Sequence, residues 1–93
     1  MFEKNAPLPQ IVFQDAITLA VEYLISNQIQ FEHRRLGAAK WDIDSATEQW
    51  NWSLSLMTAN ELYESHHVVG SPASAQLVVN VFDDGQIKHT LSS

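Results

Sequence analysis

Between Glu48 and Met57 the chain reads EQWNWSLSLM, with Trp50, Trp52, Leu54 and Leu56 alternating against Gln49, Asn51, Ser53 and Ser55. A strict period of two belongs to a β-strand, whose successive side chains point to opposite faces of a sheet. The stretch is therefore read as a strand with one apolar and one polar row, and the rest of the chain must supply something for the tryptophans to pack against. The supplier lies upstream. Phe13, Ile17, Ala20 and Leu24 recur at helical spacing, with Ala16 and Val21 beside them, which predicts an amphipathic helix lying on the Trp50 to Leu56 row. Its start falls either at Pro9, suited to a first turn, or near Gln14 and Asp15, where an acidic residue meets the positive end of the helix dipole. Its end falls at Ser26-Asn27, with Asn27 suited to a left-handed closure.

The remaining segments read mostly as strands. Ile29, Phe31 and His33 alternate with Gln28, Gln30, Glu32 and Arg34, the pattern of a half-buried strand that Gly37 ends or bends. Trp41 and Ile43 alternate with Asp42 and Asp44, and Asp44-Ser45-Ala46-Thr47 supplies turn-forming side chains, so residues 41–57 form a hairpin. Thr58-Ala59-Asn60-Glu61 has the spacing of a capping box and predicts a short second helix near 59–66. A loop follows at Gly70 to Ser74. Gln76 to Phe82 then pairs through the Asp83-Asp84-Gly85 turn with Ile87 to Leu91, closing the chain on a second hairpin. Residues 1–93 make a single domain, with an irregular lead-in over residues 1–9 that contains Pro7 and Pro9.

The expected fold class is α+β, with one N-terminal amphipathic helix on a four- to five-stranded antiparallel meander. Helix first and meander second is similar to the general arrangement of cystatin-like and NTF2-like domains, by analogy of layout alone. The chain lacks a cystatin-type QxVxG motif and is short for an NTF2-like cone, and a layout carries no activity with it.

Ninety-three residues with 45% apolar content suffice for one core and not for two. There is no cysteine, hence no disulfide framework and no thiolate chemistry, which fits a reducing cytoplasm. No run of about 18 apolar residues occurs, and the first residues lack a basic stretch leading into an apolar one. Neither secretion nor membrane insertion is expected. Charge is distributed unequally: Lys4, Arg34, Arg35 and Lys40 balance Glu3, Asp15, Glu22 and Glu32. The net charge of −6 therefore arises after residue 40, where Lys88 alone opposes Asp42, Asp44, Glu48, Glu61, Glu64, Asp83 and Asp84. That sign excludes the usual mode of direct nucleic-acid binding, which needs a basic surface to displace counterions.

Reactive constellations are sparse. His66 and His67 are adjacent, so they diverge on either a helix or a strand, and no HxxxH or HExxH spacing exists to hold a metal. His33 shares the face of Ile29 and Phe31, which makes it the histidine expected to be partly buried. A curled sheet would bring His33 and His89 near Asp42, Asp44 or Glu48 for acid–base work. Arg34 and Arg35 leave a strand on opposite faces, so they do not form one clamp and are expected in weak surface ion pairs with Glu32 or the acidic second part. Without a glycine-rich phosphate loop, a GxSxG elbow or a cysteine, the chain reads as a non-enzyme with no cofactor.

The leading expectation is a small acidic protein–protein interaction module of immunity, inhibitor or adaptor type, a homodimer with a basic protein partner. Its surface would comprise Asp42, Asp44, Glu48, Val78, Phe82, Asp83 and Asp84. The basis is a last hairpin apolar on both sides: Leu77, Val79 and Val81 form one row, while Val78 and Phe82 lie on the other. One alternative is a small-molecule-binding or isomerase-like domain whose pocket between helix and sheet is lined by His33, Trp50, Trp52 and His89. Another is an acidic mimic of nucleic acid, with its carboxylates lining one surface.

Overall fold

The computed structural model describes residues 7–67 and 77–91. The elements run α1 (Phe13–Ser26), β1 (Arg35–Ile43), β2 (Trp50–Met57), α2 (Ala59–His67), β3 (Leu77–Phe82) and β4 (Ile87–Leu91). The four strands form one antiparallel sheet in the order β1-β2-β3-β4. This is the expected α+β layout with four strands. Among the described residues, no helix is long and apolar enough to cross a membrane. The Gly70 to Ser74 loop and Gln76 lie outside the described residues.

The register brings Trp52 opposite Trp41 and Val81, Leu54 opposite Ala39 and Val79, and Leu56 opposite Leu36 and Leu77. These residues make one face, and α1 covers it. Ala16, Ala20, Leu24, Leu54, Leu77, Val79 and Val81 form the buried cluster, with Ile17, Tyr23, Trp52, Leu56 and Ile87 partly buried around it. The small Ala16 and Ala20 let the helix backbone approach the strands, while Leu24 and Leu54 fill the space between. The tryptophans sit at one end of the core. Trp52 packs against Phe13 with its ring tilted by 59° and centroids 5.3 Å apart, and its indole N–H donates to the Ile11 carbonyl at 2.8 Å. Trp41 completes the group, 5.8 Å from Trp50 and 5.4 Å from Trp52.

Helix α1 lacks a side-chain cap at its N-cap, Val12. The segment before it is held from a distance, because Asp83 Oδ1 in the β3–β4 turn accepts the Gln10 and Ile11 N–H groups at 2.8 and 3.1 Å. The C-terminus closes one residue later than the sequence suggests. Asn27 keeps a φ of −97°, and Gln28 takes the left-handed conformation with φ 57°. Gln28 N–H then reaches Ile25 O and Ile29 N–H reaches Leu24 O, a Schellman closure in which Ile29 packs back on the core. Asn27 instead spends its side chain on the Tyr23 carbonyl at 2.8 Å.

The expected strand from Gln28 towards Gly37 does not form before Arg35. Phe31 O accepts the Arg34 N–H in a tight turn, and β1 begins only at Arg35. The reason is Arg34, which is buried, donates from Nη1 to the Leu56 carbonyl at 3.1 Å and pairs with Glu61 Oε1 at 3.0 Å. His33 is correspondingly exposed, and Arg35 folds back on the Glu32 and Arg34 carbonyls. Glu61 also closes the expected capping box: its Oε1 accepts the Thr58 N–H at 3.1 Å while Thr58 Oγ1 accepts the Glu61 N–H at 3.3 Å. Gly37 bends β1 rather than ending it, at a bulge between Leu36 and Ala38. A Cβ there would lie 2.5 Å from Met57 Sδ and 2.9 Å from Leu62 Cδ2, so glycine lets α2 and β2 close on β1.

Two substitutions test this account in chemical denaturation. Gln28→Gly is expected to stabilise the protein by about 0.5–1 kcal/mol, because glycine relieves the left-handed strain and loses only part of that gain to chain entropy. Glu61→Leu should cost about 3–5 kcal/mol by stranding the buried Arg34 charge, and adding Arg34→Met should restore most of it.

Candidate functional site: the sheet face opposite α1

Among the described residues α1 covers one face of the sheet, and the opposite face carries the polar row read from EQWNWSLSLM. The register extends that row across all four strands. Lys40 of β1 lies opposite Ser53 of β2, Ser53 opposite Asn80 of β3, and Asn80 opposite Lys88 of β4. Three strand spacings separate the two lysine backbones by about 14 Å. Asp42, Asn51 and Phe82 make the next row, towards the turns. Together with Asp44, Ser45 and Thr90 these residues line a groove of about 440 Å³.

The floor of this groove is fixed. Asn51 is only 3% exposed; its Nδ2 donates to the Asp42 carbonyl at 3.3 Å and its Oδ1 accepts from Asn80 Nδ2 at 2.9 Å. Phe82 is buried beside it, with Lys88 Nζ 5.2 Å from the ring centroid. A cation over an aromatic face at that range is worth about 0.5–1 kcal/mol where solvent reaches it, enough to orient the lysine. Lys40 is held by Asp42 at 3.2 Å. Such a surface offers donors and acceptors of both signs at set positions, suited to a polar, charged chain.

The seven residues expected to form an interaction surface fall into two groups. Asp42, Val78 and Phe82 lie on the face opposite α1, with Val78 half-buried. Asp44, Glu48, Asp83 and Asp84 lie in the β1–β2 and β3–β4 turns, which the meander order sets at one end of the sheet. Each turn aspartate has a partner within the chain. Asp44 Oδ2 accepts the Thr47 hydroxyl at 2.8 Å, Asp84 Oδ1 accepts the Gln86 N–H at 2.9 Å, and Asp83 holds the residues before α1. Glu48 takes a φ of 58°, and its N–H closes the turn onto the Asp44 carbonyl. Asp44 and Asp84 thus serve their own loops first, and Asp83 the segment before α1.

The four residues expected to line a helix–sheet pocket each have different surroundings. His33 borders a shallow hollow with Gln28, Ile29, Gln30, Arg34 and Leu91. Trp50 stacks on Trp41 and borders a hollow of about 210 Å³ with Pro7, Gln49, Phe82, Asp83 and Asp84. Trp52 is held by Phe13, Trp41 and the Ile11 carbonyl, and His89 Nδ1 hydrogen-bonds the Tyr23 hydroxyl at 2.8 Å. The side chains of His66 and His67 lie outside the described residues. Among the described residues, no group of three or more His, Cys, Asp or Glu side chains converges as a metal site would.

Sequence reasoning did not single out Lys40, Asn80, Lys88 or Thr90. Asn80 was the available signal, a polar residue of poor strand propensity inside the run LVVNVF. A comparison with known protein families, curated proteins and solved structures finds no match for this chain.

Two of the carboxylates are expected to resist protonation. The Ile43 N–H and then the Lys40 ammonium hold Asp42 below the ordinary aspartate value of 3.8. The Thr47 hydroxyl and then the Ala46 N–H do the same for Asp44. A folded-state value below the unfolded one stabilises the turn at neutral pH, and that contribution is lost as pH falls through the lowered values. Carboxyl-detected NMR titration should give midpoints below 3.8 for both groups. Midpoints at or above that value would refute the turn contacts.

Proposed function

We propose that this chain is a non-catalytic protein-binding domain of adaptor, inhibitor or immunity type, taking a basic partner on the sheet face opposite α1. The observation that carries the reading is the groove in which Asp42 and Asp44 flank the Ser53–Asn80 row, above a floor locked by the Asn51–Asn80 hydrogen bond. A surface already ordered in the free protein loses little side-chain entropy on binding, the property that makes a polar face an effective docking site. The sign of the partner follows from the net charge of −6 and from the carboxylates gathered at the turn end of the groove. Opposite net charge accelerates encounter and fixes orientation, while the polar row supplies the specific contacts. The lack of cysteine is consistent with work in a reducing compartment, the cytoplasm.

The experiment adds one positive charge at each of two exposed or half-exposed sites, Ser53 on the face opposite α1 and Thr18 on the outer side of α1. Titration calorimetry with a partner identified by crosslinking should show Ser53→Arg weakening binding at least about tenfold, with Thr18→Arg close to wild type. Affinity should also fall as salt is raised. Equal affinities for the two variants, or indifference to salt, would overturn the reading.

A further inference from the structure

The ladder joining β1 to β2 fixes which backbone groups of β1 point to the edge that no other strand pairs among the described residues. Asp44 N–H donates to the Gln49 carbonyl at 2.8 Å, which makes Asp44 and Gln49 a hydrogen-bonded pair at the base of the turn. In an antiparallel ladder bonded and non-bonded pairs alternate. Asp42 and Lys40 therefore turn their backbone groups inward to Asn51 and Ser53, whereas Ile43, Trp41 and Ala39 turn theirs outward. Strand β1 is the first strand of the sheet, and β2 is its sheet neighbour among the described residues. The Trp41 ring does not cover the edge, because it leans over β2 onto Trp50 and Trp52 and is tied by its indole N–H to the Pro7 carbonyl at 3.0 Å. The strand contains no proline, and its one bulge lies at the far end, at Gly37. An edge left in this condition is a template for another strand.

We propose that this edge pairs with the same edge of a second copy, antiparallel about a two-fold axis at Trp41, to make a continuous eight-stranded sheet. Register follows from chemistry. Outward-facing residues must meet outward-facing residues, so the axis can fall at Ala39, Lys40, Trp41 or Asp42. An axis at Lys40 sets two ammonium groups opposite one another, and an axis at Asp42 sets two carboxylates opposite, both of which repel. An axis at Ala39 runs the pairing into the Gly37 bulge and faces Asp42 with Leu36. An axis at Trp41 faces Lys40 with the partner's Asp42, and Asp42 with the partner's Lys40. The same register lays Ile43, 43% exposed, against the partner's Ala39. The two charge pairs fall at non-bonded positions of the new ladder, where facing Cα atoms are about 4.5 Å apart and side chains are closest. The Trp41, Ala39 and Ile43 backbones supply about six new hydrogen bonds. Lys40 and Asp42 already contact each other within one strand at 3.2 Å, so the two groups share a face and stand ready to pair across the axis. Exposed ion pairs of this kind set the register more than they set the affinity.

The second copy is a separate matter from the basic partner of the open face, and its test needs no partner. Sedimentation or light scattering should give wild type a mass of twice 10.5 kDa at high concentration. Lys40→Glu alone and Asp42→Lys alone each turn both cross-axis pairs repulsive and should weaken the dimer about tenfold. Mixing the two single variants restores attraction at both pairs, so a heterodimer close to wild type in strength should form. Thermal melts confirm that each variant remains folded, as expected for two exposed side chains at 69% and 47% accessibility. A wild-type monomer up to millimolar concentration would overturn the inference, as would a dimer indifferent to both single changes. A mixture no stronger than its components would overturn the register and with it the proposed edge.

Discussion

The contact between Arg34 and Glu61 decides how the first half of the chain meets the second. One carboxylate oxygen receives both the Arg34 guanidinium and the Thr58 N–H, so the same atom caps α2 and anchors the chain entering β1. Arg34 reaches on to the Leu56 carbonyl at the end of β2. The buried guanidinium leaves its Nε without a hydrogen-bond partner among the described residues, a cost accepted in exchange for joining three segments at one point. Where β1 starts, where it bulges and how closely α2 approaches all follow. Buried ion pairs seldom add net stability compared with apolar replacements. What this one contributes is position.

From that anchor the sheet acquires two faces of different character. Toward α1 the strands offer Trp52, Leu54, Leu77, Val79 and Val81, a packed core with aromatic rings at its turn end. Away from α1 they offer Lys40, Ser53, Asn80 and Lys88 over a buried Asn51 and Phe82. An antiparallel sheet normally leaves one face to water, and that face is usually mixed in polarity. Here its amide floor is internally bonded, and a buried aromatic lies beside the amides. That order makes the face a surface with a defined shape.

The residues that announced the fold were those with a dominant local period. EQWNWSLSLM specified its strand and the face turned to the helix, although within it Asn51, Leu54 and Met57 are the buried residues, and Phe13 to Leu24 specified the helix, because both patterns are properties of consecutive residues. Thr58 and Glu61 specified a cap for the same reason. Residues 29–34 misled, since the alternation of Ile29, Phe31 and His33 is a true period of two, overridden by a tertiary contact 27 residues away. Gln28 in place of Asn27 is a smaller case of the same kind, where the core contact of Ile29 chose which residue would take the strained conformation. The candidate site was only half legible. Its β2 residues were visible as a polar row, but Lys40, Asn80 and Lys88 join that row through register, and register between distant strands is not written in any one of them.

The acidic character of the second half also looks different once the turns are seen. Asp44, Asp83 and Asp84 were expected to face a partner, yet their oxygens accept hydrogen bonds from Thr47, Gln10, Ile11 and Gln86. A carboxylate committed to contacts within its own chain still carries its charge, although it has less freedom to make a directed bond to another molecule. The turn end can thus attract a basic surface through its field, which acts over about a Debye length and needs no particular geometry. Under the proposed reading, discrimination between partners falls to groups on the open face whose bonding capacity is not exhausted, chiefly Ser53 and Asn80. Charge and specificity are therefore carried by different residues, and a substitution in the turns should alter how fast a partner arrives more than which partner stays.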